Sequence, residues 1–452
     1  MLKRRGIVQT TFSVLLALSL TTASAQDNSP YSRYGLGDVV PNTNILNRAM
    51  GGISAGYSDF LSINFNNPAS YSRFQAIPEA NSKRLQSGRV VLDGGLNIEN
   101  RTLRTPNATE KFSSTGAQFS YLQVGLPLRK NWGLSFGLRP LTRVNYDISR
   151  AEYLKDPITG DSIELALSEF KGSGGTFLPS IGTGFAIKNF SVGVNVGYLF
   201  GRRETTNNRS LFNDSLLYNR GRFLTNTYYG DVFVNAGVQY QIDITKQTVV
   251  RLGASGNMER KLSATQDIIR ETYIEDPNGG DFTQDSVRTV SEVKGEVVYP
   301  ASYTAGFVVE HQKPLGSGWL LGVDFVQTQW SDFRFIGAQD AVKDNWQVRL
   351  GGQFRGKPGR NYFSNVAYRA GFYTGQDYVT AGGDLPNWGI TVGAGLPIAN
   401  YNRLAPGQFS VINLALEYNK RGNNDNIVKE NTFRFSLGLN FSDLWFNKRK
   451  YD

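Results

Sequence analysis

Short stretches in which apolar and polar residues alternate recur from about Gly88 to Phe441, separated by connections that are by turns tight and long. In the last stretch Phe433, Phe435, Leu437, Leu439 and Phe441 share one face, while Arg434, Ser436, Gly438, Asn440 and Ser442 share the other. Trp346, Val348, Leu350, Gly352 and Phe354 stand in the same way against Gln347, Arg349, Gly351, Gln353 and Arg355. Successive side chains of a strand point to opposite faces, so each stretch offers one face to lipid and one to a wet lumen. The alternation predicts about fourteen strands, near 88–98, 116–128, 131–146, 175–187, 189–203, 228–243, 248–262, 293–311, 317–333, 345–356, 365–374, 387–398, 407–420 and 431–442. The gaps at Arg129-Lys130, Lys188-Asn189 and 244–247 are tight, whereas 99–115, 147–174, 204–227 and 263–292 are long, polar and charged. An antiparallel barrel in an outer membrane requires this rhythm, with turns at the periplasmic rim and loops outside, and an even strand number returns both barrel ends to the periplasm. A soluble sandwich shares the alternation. The N-terminus separates the two.

Lys3, Arg4 and Arg5 precede an apolar run from Thr11 to Leu20, and Ala23-Ser24-Ala25 supplies small residues before Gln26. This reads as a cleaved secretory signal over 1–25, too short in its apolar part for a spanning helix of about 20 residues. The chain is therefore expected in the outer membrane of a Gram-negative cell, in contact with its lipid. Cysteine is absent, so closure of the hydrogen-bond ladder and packing must hold the fold. Abundant glycine and aromatic residues suit a large barrel, in which only alternate residues touch lipid.

Residues 26–87 are of another kind, rich in Asn, Ser, Gly and Tyr and without sustained alternation. They contain Asn47-Arg48-Ala49-Met50-Gly51-Gly52-Ile53 and then Asp59-Phe60-Leu61-Ser62-Ile63-Asn64-Phe65-Asn66-Asn67-Pro68-Ala69. Paired glycines and Asn-Pro favour compact turns, and irregular backbone at membrane depth is tolerated only when protein or water surrounds it. The segment is expected inside the barrel.

In these motifs the sequence resembles the FadL-like family of outer-membrane long-chain fatty-acid transporters, whose members carry a Gly-Gly run and an Asn-Pro-Ala before a fourteen-stranded barrel. The resemblance implies an all-β transmembrane barrel over 88–442 and an N-terminal lumenal hatch over 26–87; a basic tail over 443–452 follows the barrel. It assigns gating to Gly51, Gly52, Phe65, Asn66, Asn67, Pro68 and Ala69, and a wall kink to Pro140 in the third strand, where proline removes a ladder donor. It also implies passive uptake of a hydrophobic or amphipathic small molecule, with a sideways exit to lipid. Barrels of the same family serve as shuttle or scaffold subunits of secretion or outer-membrane assembly machinery, as the PorV-like proteins do, and that is the alternative. The charged long gaps depart from a greasy capture groove, as does the tail after Phe441 from a terminal aromatic signal. Ser29 to Asp38 has no counterpart in the transporters.

Register places Arg139, Arg251, Arg349, Arg355, Arg369 and Arg434 in the lumen, where they can pair with Glu310, Asp324 and Glu417 or attract an anionic headgroup. A charge on the lipid face at mid-membrane costs about 2–4 kcal/mol. The formal charge of +10 is spread without a basic tract, which gives no sign of nucleic-acid binding. His311, the only histidine, sits beside a predicted periplasmic turn, away from any nucleophile on the wall, and one histidine makes no multi-histidine metal site, so no enzyme or cofactor is expected. Asp276 to Asp281 lacks the full ligand spacing of a calcium loop and reads as a polar turn.

Overall fold

The computed structural model describes residues 28–79, 85–106, 110–212, 218–275, 280–313, 316–398 and 408–445. The signal over 1–25, most of the acidic turn at 276–281 and the tail beyond Trp445 lie outside them. Among the described residues fourteen antiparallel strands close into one barrel. They are β1 (Leu85–Arg104), β2 (Lys111–Arg129), β3 (Trp132–Lys155), β4 (Ser162–Ile187), β5 (Phe190–Phe212) and β6 (Arg220–Asp243). Two interrupted strands follow: β7 (Thr248–Asn257 with Arg260–Glu275) and β8 (Asp281–Tyr299 with Ser302–Gln312), the second broken at Pro300, which has no N–H to give the ladder. The remaining strands are β9 (Gly318–Thr328), β10 (Asn345–Arg355), β11 (Ala367–Gln376), β12 (Pro386–Ile398), β13 (Phe409–Arg421) and β14 (Lys429–Trp445). Pairing of β14 with β1, from Lys429 opposite Arg104 to Trp445 opposite Gly88, removes the sheet edge.

The expected faces are present. On β14 Phe433, Leu437 and Leu439 are exposed on the outside while Ser436 and Asn440 are buried inside. Lys130-Asn131 and Lys188-Asn189 turn tightly, with Asn131 and Lys188 at positive φ. The long gaps differ from expectation: 99–104, 111–115, 147–155, 162–174, 204–212, 220–227, 263–275 and 281–292 are strand, not loop. Apolar alternation ends where lipid ends, but the ladder does not, because each of these stretches keeps a partner. Thr205 and Thr206, for example, pair with β4 and with β6. Strands β3 to β8 therefore project from the loop end as a tall curved sheet, whereas β9 to β13 stay at 10–13 residues.

One seam of the wall is incomplete. β2 and β3 pair only from Leu122 opposite Leu138 to Arg129 opposite Trp132. At Pro140 the register with β4 slips, leaving Leu141 as an inserted residue between Pro140 opposite Phe177 and Thr142 opposite Thr176. Beyond that point β3 follows β4 and leaves β2.

Candidate functional site: the occupied lumen

Residues 28–79 run through the barrel from its loop end to its turn end. A helical turn, Ile45–Arg48, is capped by Asn44, whose side chain accepts from the Asn47 N–H at 2.8 Å. Gly51 and Gly52 follow at positive φ, and the Gly51 N–H donates to Thr391 Oγ1 of β12 at 2.9 Å. Asn67 then acts as a hub, its side-chain NH2 facing the carbonyls of Ala55 at 2.8 Å and Val238 at 3.1 Å, and its oxygen accepting from Ala69 N–H at 3.2 Å. Pro68 starts a 3-10 turn to Arg73. Phe65 lies against Tyr121, with the Arg139 guanidinium 4.7 Å from its ring centroid, and Arg139 also donates to Asn66 Oδ1 at 3.3 Å. Ala69 is fully buried.

The wall carries the imprint of this segment in its glycines. A Cβ at Gly371 of β11 would lie 2.1 Å from the Gly51 nitrogen, and one at Gly351 of β10 would lie 2.0 Å from the Met50 carbonyl oxygen. On the other side, Gly193 of β5 and Gly184 of β4 would each press within 2.3 Å of Pro68 backbone atoms, and Gly253 of β7 within 1.9 Å of the Ala55 oxygen. Only hydrogen fits there.

Two of the six register-placed arginines are ion-paired, and others meet amides and carbonyls. Arg434 reaches Glu99 and Glu417, each at 2.6 Å, and Arg251 pairs with Glu310 and donates to the Ser58 carbonyl. Asp324 accepts from the Ser54 and Ala55 N–H groups at 2.5 and 2.9 Å, while Arg349 donates to the Gly52 carbonyl at 3.1 Å. Arg369 meets Gln353 and Asn413, and Arg355 sits half-buried near the turn end. Alternation did not single out a second network. In it Asp38 bridges Arg101 of β1 at 2.6 Å and Arg421 of β13 at 2.8 Å; Arg421 also holds Asp377 at 2.8 Å, and both arginines approach Glu430. Burial pushes the Asp38 carboxyl up, but the two guanidiniums outweigh it and hold it at about 2. Arg48 was missed too. It is buried on Asn97 and on the carbonyls of Pro41 and Thr43. An acidic residue directly after a glycine, as in Gly37-Asp38, is the sole sequence signal for this network.

Among the described residues a central cavity of about 310 Å³ is bordered by Arg48, Arg139, Asp38, Glu417, Thr142 and Tyr299 among others. It is a charged space, not a greasy tunnel. Over it the loop end is closed by Trp330 stacked on Tyr378 at 4.3 Å, which pack with Leu36 and Tyr31.

Known proteins give the fold its context. The Pseudomonas putida toluene transporter TodX is 15% identical at a TM-score of 0.50, over 92% of this chain and 100% of that one. A Pseudomonas aeruginosa FadL homologue is 13% identical at 0.49, over 91% and 98%. The Ralstonia pickettii toluene transporter TbuX is 13% identical at 0.49, over 89% and 98%. The chain thus has a closed β-barrel of FadL-like fold. No curated protein matches it. A family model described as BamG matches residues 1–452.

Proposed function

The chain belongs to the BamG family, and from that premise we propose that it is a closed barrel that serves as a subunit of outer-membrane assembly or secretion machinery and does not conduct a solute. The observation that carries this reading is the glycine imprint: the wall is shaped to the backbone of residues 50–69, and a barrel built to be emptied has no need of so close a fit. The charged cavity supports it, because a hydrophobic solute would give up its surroundings for guanidinium and carboxylate groups. The sheet projecting from β3 to β8, with Phe223, Phe282 and Tyr153 exposed, offers outward surface for a partner. With both barrel ends in the periplasm, as in bacterial outer-membrane barrels generally, this sheet would lie outside the cell and clear of the membrane.

Photo-crosslinking residues at Phe223 and Phe282 in intact cells, followed by mass spectrometry of the adducts, tests the reading. Recurrent adducts with a single outer-membrane machinery subunit are expected. The second reading, uptake of a hydrophobic compound, draws on the FadL-like fold that the chain shares with the Pseudomonas putida toluene transporter. Saturable flux of a long-chain fatty acid or of toluene into proteoliposomes, with no protein adducts in cells, would replace the first reading with the second.

A further inference from the structure

Where β3 parts from β2, its exposed edge is occupied. The backbone groups facing the gap belong to every second residue, Leu141, Arg143, Asn145 and Asp147, and residues 28–40 of the same chain meet all four. The Val40 N–H donates to the Leu141 carbonyl at 2.9 Å, and Asp38 stands opposite Arg143 as Val39 does opposite Thr142. Ser29 N–H donates to the Asn145 carbonyl at 3.0 Å, and the Asn145 N–H donates to Ser32 Oγ at 3.0 Å. The Asn28 side chain takes both groups of Asp147, donating at 3.0 Å and accepting at 3.2 Å. A buried polar edge left without partners costs free energy for each group, so these contacts stabilise the seam.

The same residues reach the opposite bank of the gap. Asn28 N–H lies 3.4 Å from Ser114 Oγ of β2, and Asp38 is salt-bridged to Arg101 of β1. Gly37, at φ +98°, allows the approach, since a Cβ there would sit 2.4 Å from the Arg143 carbonyl oxygen. Val39 borders the central cavity. One short run therefore joins β3 to β1 and β2 across the seam that Pro140 opens, and separates the cavity from it.

We propose that residues 28–40 are a strap that completes the barrel wall between β2 and β3, with Asp38 as its latch, and that release of the strap connects the central cavity with the surrounding lipid. The proposal concerns the wall alone and stands whether or not the barrel has a protein partner. It explains Ser29 to Asp38, the run for which the transporter resemblance supplies no role.

The chain has no cysteine, so introduced cysteines are unique. A bimane placed on the cavity wall through Thr304→Cys, in full-length protein reconstituted with brominated-chain phosphatidylcholine, reads contact between cavity and lipid. With the native strap, quenching is expected to be low. Asp38→Asn, or Gly37→Val as an independent route to the same release, should raise it several-fold, with heat-modifiable migration showing that the barrel is folded. Adding the register pair Val39→Cys and Thr142→Cys, oxidised before labelling, should return quenching to the native level and reduction should raise it again. Quenching that is the same in native, released and locked proteins would overturn the proposal, as would release variants that stay shielded while folded.

Discussion

Two parts of the enclosed segment are held by different physics. Residues 44–74 are held by shape: their backbone lies on wall glycines, and buried asparagines such as Asn67 satisfy the carbonyls around them. Residues 28–40 are held by one strand edge and an ionic latch. A glycine contact leaves no low-energy displaced position, since any side chain or shifted backbone collides. A ladder edge and a salt bridge can both be exchanged for water. On this difference the deep part is expected to act as a fixture and the strap as the movable piece, although they are adjacent in sequence.

The comparison breaks most visibly if the deep part is removed. Deletion of residues 43–70 is expected to leave an assembled barrel with raised single-channel conductance in planar bilayers, and conductance equal to that of the intact protein would deny that this segment occludes the lumen. Next in size is Gly193→Leu. Its side chain would enter the Pro68 backbone, and overpacking of this kind against atoms that cannot shift is expected to cost more than about 3 kcal/mol, read as lost heat-modifiability or a large drop in unfolding temperature. Asn67→Ala removes one donor each from the Ala55 and Val238 carbonyls, of which Ala55 keeps Gln239, and should cost about 1–2 kcal/mol. A smaller loss, with unchanged conductance, would move the hub elsewhere.

The strap gives the most local effect of the series. Because the folded Asp38 carboxyl is held down at about 2, below its unfolded range, its contribution of about 2 kcal/mol is full above the unfolded value and fades as pH falls through the folded one. A spin label at Val39→Cys should stay immobile at about pH 5 and loosen only toward about pH 2. Asp38→Asn should be mobile throughout, with no pH step. A step near neutral pH, or none in the native protein, would remove Asp38 as the latch.

Legibility from sequence followed the range of the interaction. Strand existence was readable because lipid imposes a two-residue period on each strand separately, and Phe433 to Phe441 needed no knowledge of any neighbour. The projecting sheet was read as loop because, outside lipid, Thr205 or Gln266 has water available on either side and no period is imposed. Their pairing depends on partners tens of residues away. Asn67-Pro68 could be marked as a bend but not as a hub, since its acceptors come from β6 as well as from the segment itself.

By itself the sequence determined a membrane barrel with about fourteen strands, arginines turned inward at Arg139, Arg251, Arg349, Arg369 and Arg434, and an irregular segment ahead of the first strand. Those follow from local chemistry: an alternating face, a charge that lipid rejects, a proline or glycine pair that ends regular structure. Only the tertiary structure decided which wall glycines carry the imprint of the segment, that Asp38 meets Arg101 and Arg421, and that residues 28–40 fill the seam opened at Pro140. The reason is closure. Once β14 pairs with β1, side chains more than 300 residues apart face the same small volume, and their fit is a property of the ring that no stretch of the chain carries alone.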